Sequence, residues 1–144
     1  MVYLVALILG ISLSFVVFFG MGVYINTNQI TNHVKQSEIE GGLASLHNVY
    51  NQTLSYGVFM NEEEWETIYS SFDKIPNFEK GNLNYISNES NYFCIQYNNI
   101  TKNDINILEK VKDNNKSIML SNTCTNIGFY EPNLDNVALS LVFQ

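Results

Sequence analysis

The chain has 144 residues, with 14 acidic side chains against 7 basic ones, and carries a formal net charge of −7. This length suits one small domain beside a membrane-sized segment. The acidic balance argues against a phosphate-binding surface, so we exclude nucleic acid as a partner.

The chain opens with an apolar run, because residues 1–25 contain no Lys, Arg, His, Asp or Glu. Roughly twenty apolar residues cross a bilayer core as a helix, so we predict a transmembrane helix over Val2–Ile25. A secretory signal is the alternative, but its apolar core is usually about 7–15 residues long and precedes a small-residue cleavage site. We therefore interpret residues 1–25 as a retained span and residues 26–144 as a head domain outside the cytoplasm.

A helical pattern continues beyond the apolar run. Residues at helical spacing predict one apolar face: Ile39, Leu43, Leu46, Tyr50 and Leu54, with Ile30 and Val34 extending it toward the span. We predict a single helix from near residue 2 to about Tyr56, whose second half (about 26–56) is amphipathic. Gly41 and Gly42 weaken this helix by about 1 kcal/mol each and allow a bend.

A short second helix is predicted after Asn61, which can cap it. The acidic residues 62–64 lie in its predicted first turn, where the positive end of the helix dipole stabilises their negative charges. Its apolar face is formed by Trp65, Ile68, Tyr69 and Phe72, and Lys74-Ile75-Pro76 is predicted to end it. Consecutive residues of a helix point in directions about 100° apart, so these three carboxylates cannot converge on one cation. We therefore favour the interpretation that they are solvated surface residues.

From Gly81 onward the apolar period changes to two. The stretches "LNYI", "NYFCIQYNN", "SIML" and "NVALSLVFQ" are predicted strands, the last of them in the sheet interior. In the second stretch, Phe93, Ile95 and Tyr97 face one side, and Tyr92, Cys94 and Gln96 face the other. Thr101 is predicted to cap a helix with Ile105, Leu108 and Val111 on its apolar face. The expected class is α+β, with an amphipathic helix covering a small, largely antiparallel sheet.

Cys94 and Cys124 both lie in the head domain. Two cysteines that lie beyond a membrane anchor suit an oxidising compartment, where a disulfide bond between them persists. Two buried free thiols are the alternative. A metal site is disfavoured because no CxxC motif or nearby His supplies further ligands.

The sequence offers no catalytic constellation. His33 and His47 lie about 21 Å apart on the predicted helix, too far to share a metal or a substrate. Phosphate loops, nucleophile elbows and zinc-protease motifs are absent from the sequence. The carboxylates Asp104, Glu109 and Asp113 are indistinguishable from a solvated helix face. We expect no enzyme activity, no cofactor and no metal.

Three stretches carry a resemblance to a known family. "ASLHNVYNQTLSY" followed by "IYSSFDKIPNF" resembles the lower helix and the short Ile-Pro-terminated helix of type IV pilins of the IVb branch. "YFCIQYNNITKNDINILEKV" resembles the strand, turn and capped helix of that branch, and "NTCTN" with "VALSLVFQ" resembles its closing cysteine and last strand. The resemblance implies a pilin fold, in which a long N-terminal helix packs on the sheet.

The resemblance also implies how the chain would be processed, inserted in a membrane and assembled. A short basic leader would be removed ahead of the apolar helix, leaving Met1 as the methylated first residue. The subunit would stand in the bacterial inner membrane, with its N-terminus on the cytoplasmic side and its head in the periplasm, and would then enter an extracellular pilus. Its partners would be other pilin subunits, through the N-terminal helix, and possible tip partners such as an adhesin or a secreted factor. Small residues of that helix would allow close approach of neighbouring helices: Gly10, Ser12, Ser14, Gly20 and Gly22.

Val5 departs from the family pattern, which places Glu at the fifth mature residue to pair with the amine of a neighbouring subunit. A subunit without that neighbour needs no such pair, so the resemblance favours a minor pilin that primes assembly or sits at the tip. The segment "NIGFYEPNL" is a candidate docking surface, although buried packing of Phe129 and Tyr130 is the favoured interpretation. The alternatives are a minor pseudopilin of a type II secretion system, a single-span periplasmic scaffold or sensor, and a ligand-binding domain on a stalk.

Overall fold

The computed structural model of the chain describes residues 2–87, 90–125, 127–131 and 136–143, with residues 2–26 described as helical backbone alone. The helices are α1 Val2–Ser55, α2 Trp65–Ser70 and α3 Lys102–Asn114, and the strands are β1 Gly81–Ser87, β2 Asn91–Asn98, β3 Ile118–Ser121 and β4 Asn136–Val142. The predicted α+β class is confirmed. The chain divides into two compact units, Met1–Val34 and Lys35–Gln144.

Helix α1 is continuous from Val2 to Ser55, as the sequence predicts. Within the first unit, Thr31 Oγ1 donates to the carbonyl of Thr27 at 2.8 Å, and Ile30 and Val34 are exposed. Among the residues described with side chains, no helix is long and apolar enough to cross a membrane. The side chains of the span predicted at Val2–Ile25 lie outside the described residues.

The sheet has four antiparallel strands in the order β1-β2-β4-β3. Strand β4 lies between β2 and β3, which confirms the interior position predicted for "NVALSLVFQ". Its register pairs Phe93 with Leu141 and Ile95 with Leu139 across β2 and β4. These four side chains are buried and form the centre of the main core.

Helix α1 contributes one face to this core, and the residues that form it differ in part from the prediction. Leu43, Leu46 and Tyr50 are buried as predicted, but Leu54 is 44% exposed. Val49 and Thr53 are buried instead. Because a helix turns about 100° per residue, the two steps of four from Leu46 to Leu54 rotate the position by about 80° in total, so Leu54 lies beyond the core face.

Helix α2 is shorter than predicted. Asn61 caps the turn that precedes the helix and not α2 itself, since its Oδ1 accepts from the backbone N–H groups of Glu63 and Glu64 at 3.0 and 2.8 Å, whereas the N-cap of α2 is Glu64. The regular helix nevertheless begins only at Trp65 and ends at Ser70, so the glutamates 62–64 precede it. Its end comes before Lys74–Pro76. The backbone N–H groups of Ser71 and Phe72 donate to the carbonyls of Ile68 and Tyr69 at 3.1 and 2.9 Å, and these i→i−3 bonds tighten the last turn and close the helix.

Helix α3 begins as predicted. Thr101 and Asp104 form a reciprocal capping box, in which each side chain accepts from the backbone N–H of the other residue. Its buried face contains the predicted Ile105, Leu108 and Val111 and adds Ile107.

Gly42 permits a close approach between α1 and the segment before the sheet. A Cβ atom built on Gly42 would lie 2.7 Å from the ring of Phe78, which is itself buried. A Cβ atom on Gly41 would have nothing within 4 Å. Only the second glycine of the pair is therefore required by packing, and α1 stays helical through both.

Candidate interaction surface

The outward face of β2 holds the segment that connects β3 and β4. Cys94 is bonded to Cys124 with a Cα–Cα distance of 5.7 Å, which confirms the predicted disulfide. The hydroxyl of Tyr92 donates to the carbonyl of Cys124 at 2.7 Å. Gln96 accepts from the N–H of Cys124 and donates to the carbonyl of Asn122, both at 3.3 Å. Tyr92, Cys94 and Gln96, which the sequence predicts on one face of the strand, therefore all bind the segment between β3 and β4.

The segment after α1 leaves the helix through a glycine. Gly57 has φ +69°, its N–H donates to the carbonyl of Leu54 at 3.0 Å, and the N–H of Val58 donates to the carbonyl of Thr53 at 2.8 Å. This pair of bonds is a Schellman motif, which favours glycine because its left-handed backbone has no Cβ to clash. The motif ends α1 at Ser55, and residues 54–59 on both sides of that end are all exposed.

These residues form the most apolar exposed segment of the described head. We call them the exposed loop: Leu54 (44% exposed), Tyr56 (73%), Val58 (36%) and Phe59 (79%). The Tyr56 ring lies 5.8 Å from that of Phe72, which steadies one side of the loop. Contiguous exposed apolar side chains are typical of a surface that binds another protein or a membrane.

Acidic side chains adjoin the exposed loop. Glu62, Glu63, Glu64 and Glu66 are all exposed. Glu62 also accepts from the N–H of Ser87 at 2.9 Å, which fixes the acidic segment against the end of β1. A partner for this surface would combine apolar and basic groups, because like charges opposite the glutamates would be repelled.

The candidate surface at "NIGFYEPNL" is only partly described, since Asn126 and residues 132–134 lie outside the described residues. The favoured interpretation of buried packing is wrong for Phe129, which is 61% exposed. Tyr130 is half-buried against the main core, and its hydroxyl donates to Glu109 Oε1 at 3.4 Å. Phe129 therefore adds a second, smaller apolar exposure.

The carboxylates of Asp104, Glu109 and Asp113, which the sequence pattern did not separate from a solvated helix face, have different environments in the structure. Asp104 is the capping residue of α3 and lies near Lys35 and Lys80, Glu109 accepts from Tyr130, and Asp113 lies 3.7 Å from Lys112. Partial burial raises the pKa of Asp104, but the bonds from Thr101 and the charges of Lys80 and Lys35 outweigh it, so this pKa is lowered overall.

A groove of about 400 Å³ runs beside α1 and α3. At its rim, Glu40 Oε1 accepts from Gln36 Nε2 and Asn114 Nδ2, each at 2.9 Å. These two bonds lower the pKa of Glu40. The contacts link the middle of α1 to the last turn of α3, which is a structural role.

The two histidines have separate surroundings in the described part of the chain. His47 is exposed and lies edge-on to Phe143, with 5.9 Å between ring centroids, and His33 is exposed on the first unit. Over the described part of the chain, no three His, Cys, Asp or Glu side chains are grouped to hold a metal ion.

The residues to which the resemblance gives a role in assembly lie where the structure describes no side chains. Met1 lies outside the described residues. Val5 lies in the part of α1 described without side chains, as do the small residues Gly10, Ser12, Ser14, Gly20 and Gly22. The exposed loop was missed by the sequence reasoning, although the Tyr56-Gly57 pair at the predicted helix end is a signal that could have located it.

Comparisons with protein-family models, with curated proteins and with solved structures find no match.

Proposed function

We propose that this chain is a minor pilin of a type IV pilus of the IVb kind, which primes assembly or sits at the filament tip and performs no catalysis. The observation that carries the proposal is the unbroken helix Val2–Ser55. Its first 25 residues are uncharged in sequence, and its later residues Leu43, Leu46 and Tyr50 belong to the core of the head. One helix thus combines a bilayer-compatible segment with a structural element of the folded domain.

This arrangement suits a subunit that moves from lipid into a polymer. In the inner membrane the apolar segment is surrounded by acyl chains, and in a filament it is surrounded by the helices of other subunits. Both environments are apolar, so the transfer exchanges one apolar contact for another at small net cost. Close packing of the helices is favoured by the small residues Gly10, Ser12, Ser14, Gly20 and Gly22.

The head would bind its neighbours through the exposed loop. Tyr56 and Phe59 provide large aromatic side chains of the kind enriched at protein interfaces. The adjacent glutamates select a partner surface with lysines or arginines. We infer that this partner is another subunit of the same filament.

Mass spectrometry of the N-terminus of the native protein tests the proposal. A pilin is expected to have lost any leader and to begin with an N-methylated residue, which the resemblance places at Met1. A retained leader or a formylated initiator methionine would contradict the proposal and favour a fixed single-span scaffold or sensor. A processed N-terminus in a cell that secretes but builds no pilus would favour a minor pseudopilin.

A further inference from the structure

The sequence contains four matches to the N-x-Ser/Thr pattern of an N-linked glycan acceptor, at Asn51, Asn88, Asn99 and Asn115. Because asparagine is common in this chain, the pattern by itself selects none of them. A transferase has to contact both the asparagine amide and the hydroxyl two residues later, so the fold can distinguish the matches. Asn88 lies outside the described residues, and the other three can be compared.

Two of the three patterns have their hydroxyl groups engaged within the fold. Thr53 carries the hydroxyl of the Asn51 pattern; it is 0% exposed, and this hydroxyl donates to a backbone carbonyl at 2.7 Å. Thr101 carries the hydroxyl of the Asn99 pattern. That hydroxyl donates to the carboxylate of Asp104 at 2.8 Å, as part of the capping box of α3. A transferase could use either hydroxyl only by breaking a bond of the folded head.

The turn between α3 and β3 presents the third pattern, Asn115-Lys116-Ser117, on the surface. Asn115 and Lys116 are exposed, and Ser117 is half-buried. The N–H of Ser117 donates to Oδ1 of Asn115 at 3.0 Å, which is an Asx turn. This bond occupies the oxygen of the carboxamide and holds the hydroxyl-bearing residue against the asparagine side chain. The nitrogen Nδ2, the atom that receives a sugar, belongs to an exposed side chain.

Backbone hydrogen bonds fix this turn between its two elements. The N–H of Asn115 donates to the carbonyl of Lys112, and the carbonyl of Asn115 accepts from the N–H of Ile118, both at 3.1 Å. The carbonyl of Ser117 accepts from the N–H of Val142 at 2.9 Å. The acceptor is therefore held in place by its backbone while its side chain stays exposed, so a transferase can reach it in the folded head.

Space for a sugar lies beside the acceptor. Asn115 is one of the residues that line the groove of about 400 Å³ beside α1 and α3. Small-molecule sites have volumes of about 300–1,000 Å³, so the groove has room for one sugar ring. The exposed side chains of His47 and Asn48 also line it and can hydrogen-bond sugar hydroxyl groups. A glycan on Asn115 can thus be accommodated without any change in the packing of the head.

We propose that Asn115 is an N-glycosylation site, whose donor is an oligosaccharide linked to a lipid through a diphosphate. In the transfer, Nδ2 of Asn115 forms a bond to C1 of the first sugar. The bond between C1 and the diphosphate oxygen breaks, the lipid diphosphate leaves with that electron pair, and the amide releases one proton to solvent. The site requires a head outside the cytoplasm, a location that the disulfide favours, but it does not depend on filament assembly.

Peptide mapping by mass spectrometry of the full chain, purified from the cells that produce it, tests this site. We expect a glycan on the peptide that contains Asn115 and none on the peptides that contain Asn51 and Asn99. Ser117→Ala keeps Asn115 but removes the acceptor hydroxyl, so it is expected to abolish the modification. Ser117→Thr restores a hydroxyl and should retain the glycan. Asn51→Gln removes an exposed asparagine of the same pattern and is the matched control, with the glycan unchanged.

Three results would overturn the proposal. Asn115 could be unmodified in every copy of the parent chain, a result that needs no variant. The glycan could persist in Ser117→Ala, which would show that the N-x-Ser pattern is not recognised. Glycans on Asn51 or Asn99 would show that the fold does not select the acceptor. These peptides are separate from the N-terminal peptide, so failure here leaves the test of N-terminal processing unaffected.

Discussion

Gly41 and Gly42 are neighbours in sequence, but packing distinguishes them. Gly42→Ala places a methyl group 2.7 Å from the buried ring of Phe78, whereas Gly41→Ala meets no atom within 4 Å. We expect Gly42→Ala to lower the free energy of unfolding by about 1–2 kcal/mol, because overpacking outweighs the gain in helix propensity.

Gly41→Ala is the matched control and should raise the free energy of unfolding by up to about 1 kcal/mol. Denaturant unfolding of both variants measures the difference. Equal stabilisation by the two substitutions would show that Phe78 moves freely and that the close approach is not required.

The carboxylate of Asp104 makes the stability of the head depend on pH. Its pKa is lowered in the folded state from the usual 3.8, so its contribution is fully present above that value and is lost as pH falls through the lower folded pKa. We expect the parent to lose stability more steeply than Asp104→Asn between about pH 5 and pH 3.

Asp113→Asn serves as the control for this prediction, because Asp113 lies on the same helix with its side chain 73% exposed. Denaturant midpoints at several pH values measure the slopes. If Asp104→Asn has the same slope as the parent and the control, the bonds from Thr101 and the nearby lysines do not stabilise the ionised form.

At the scale of elements, the disulfide connects β2 to the segment between β3 and β4. Cys94 and Cys124 are 30 residues apart in sequence. Closing a loop of this length is expected to stabilise the head by about 3–4 kcal/mol in the chain-entropy model. We therefore expect reductant to lower the melting temperature of the parent clearly.

The double variant Cys94→Ser, Cys124→Ser is the control, since it should melt at the same temperature with and without reductant. A parent melting curve that reductant leaves unchanged would contradict the role given to the disulfide, because the bonds of Tyr92 and Gln96 would then suffice to hold the loop.

The exposed loop is expected to contribute to assembly and not to stability. Phe59 is 79% exposed, so Phe59→Ser should change the free energy of unfolding by no more than about 0.5 kcal/mol. We expect the same variant to reduce incorporation of the chain into filaments several-fold, measured by immunoblotting of sheared filaments.

Met119→Ser is the control, because Met119 is also an exposed apolar residue but lies on β3, outside the exposed loop and outside the segment 126–134. Incorporation that falls equally in both variants would indicate a general loss of apolar surface. Unchanged incorporation of Phe59→Ser would remove the exposed loop from the proposed interface.

The elements were largely predictable from the sequence because their signals are local. Period-two alternation located β2, and the capping pair Thr101 and Asp104 located the start of α3. The end of α2 was not predictable from Pro76, because the i→i−3 backbone bonds of Ser71 and Phe72 close the helix before that proline. The exposure of Phe129 depends on which distant segments pack together, and a periodicity in one segment does not contain that information.

At the scale of the whole molecule, helix α1 links an uncharged N-terminal segment to the core of the head through one continuous backbone. Under the proposed function, a subunit with this helix would leave the bilayer with its head attached through the same continuous backbone. A fixed membrane anchor would have the same helix but would never leave the membrane fraction. The two possibilities therefore differ in where the mature chain is found.

The most direct test is quantitative mass spectrometry of filaments sheared from cells, compared with the membrane fraction of the same cells. We predict that the chain is present in the sheared filaments, in far fewer copies than their main subunit. Recovery of the chain from the membrane fraction alone, in cells that carry abundant filaments, would contradict the proposal.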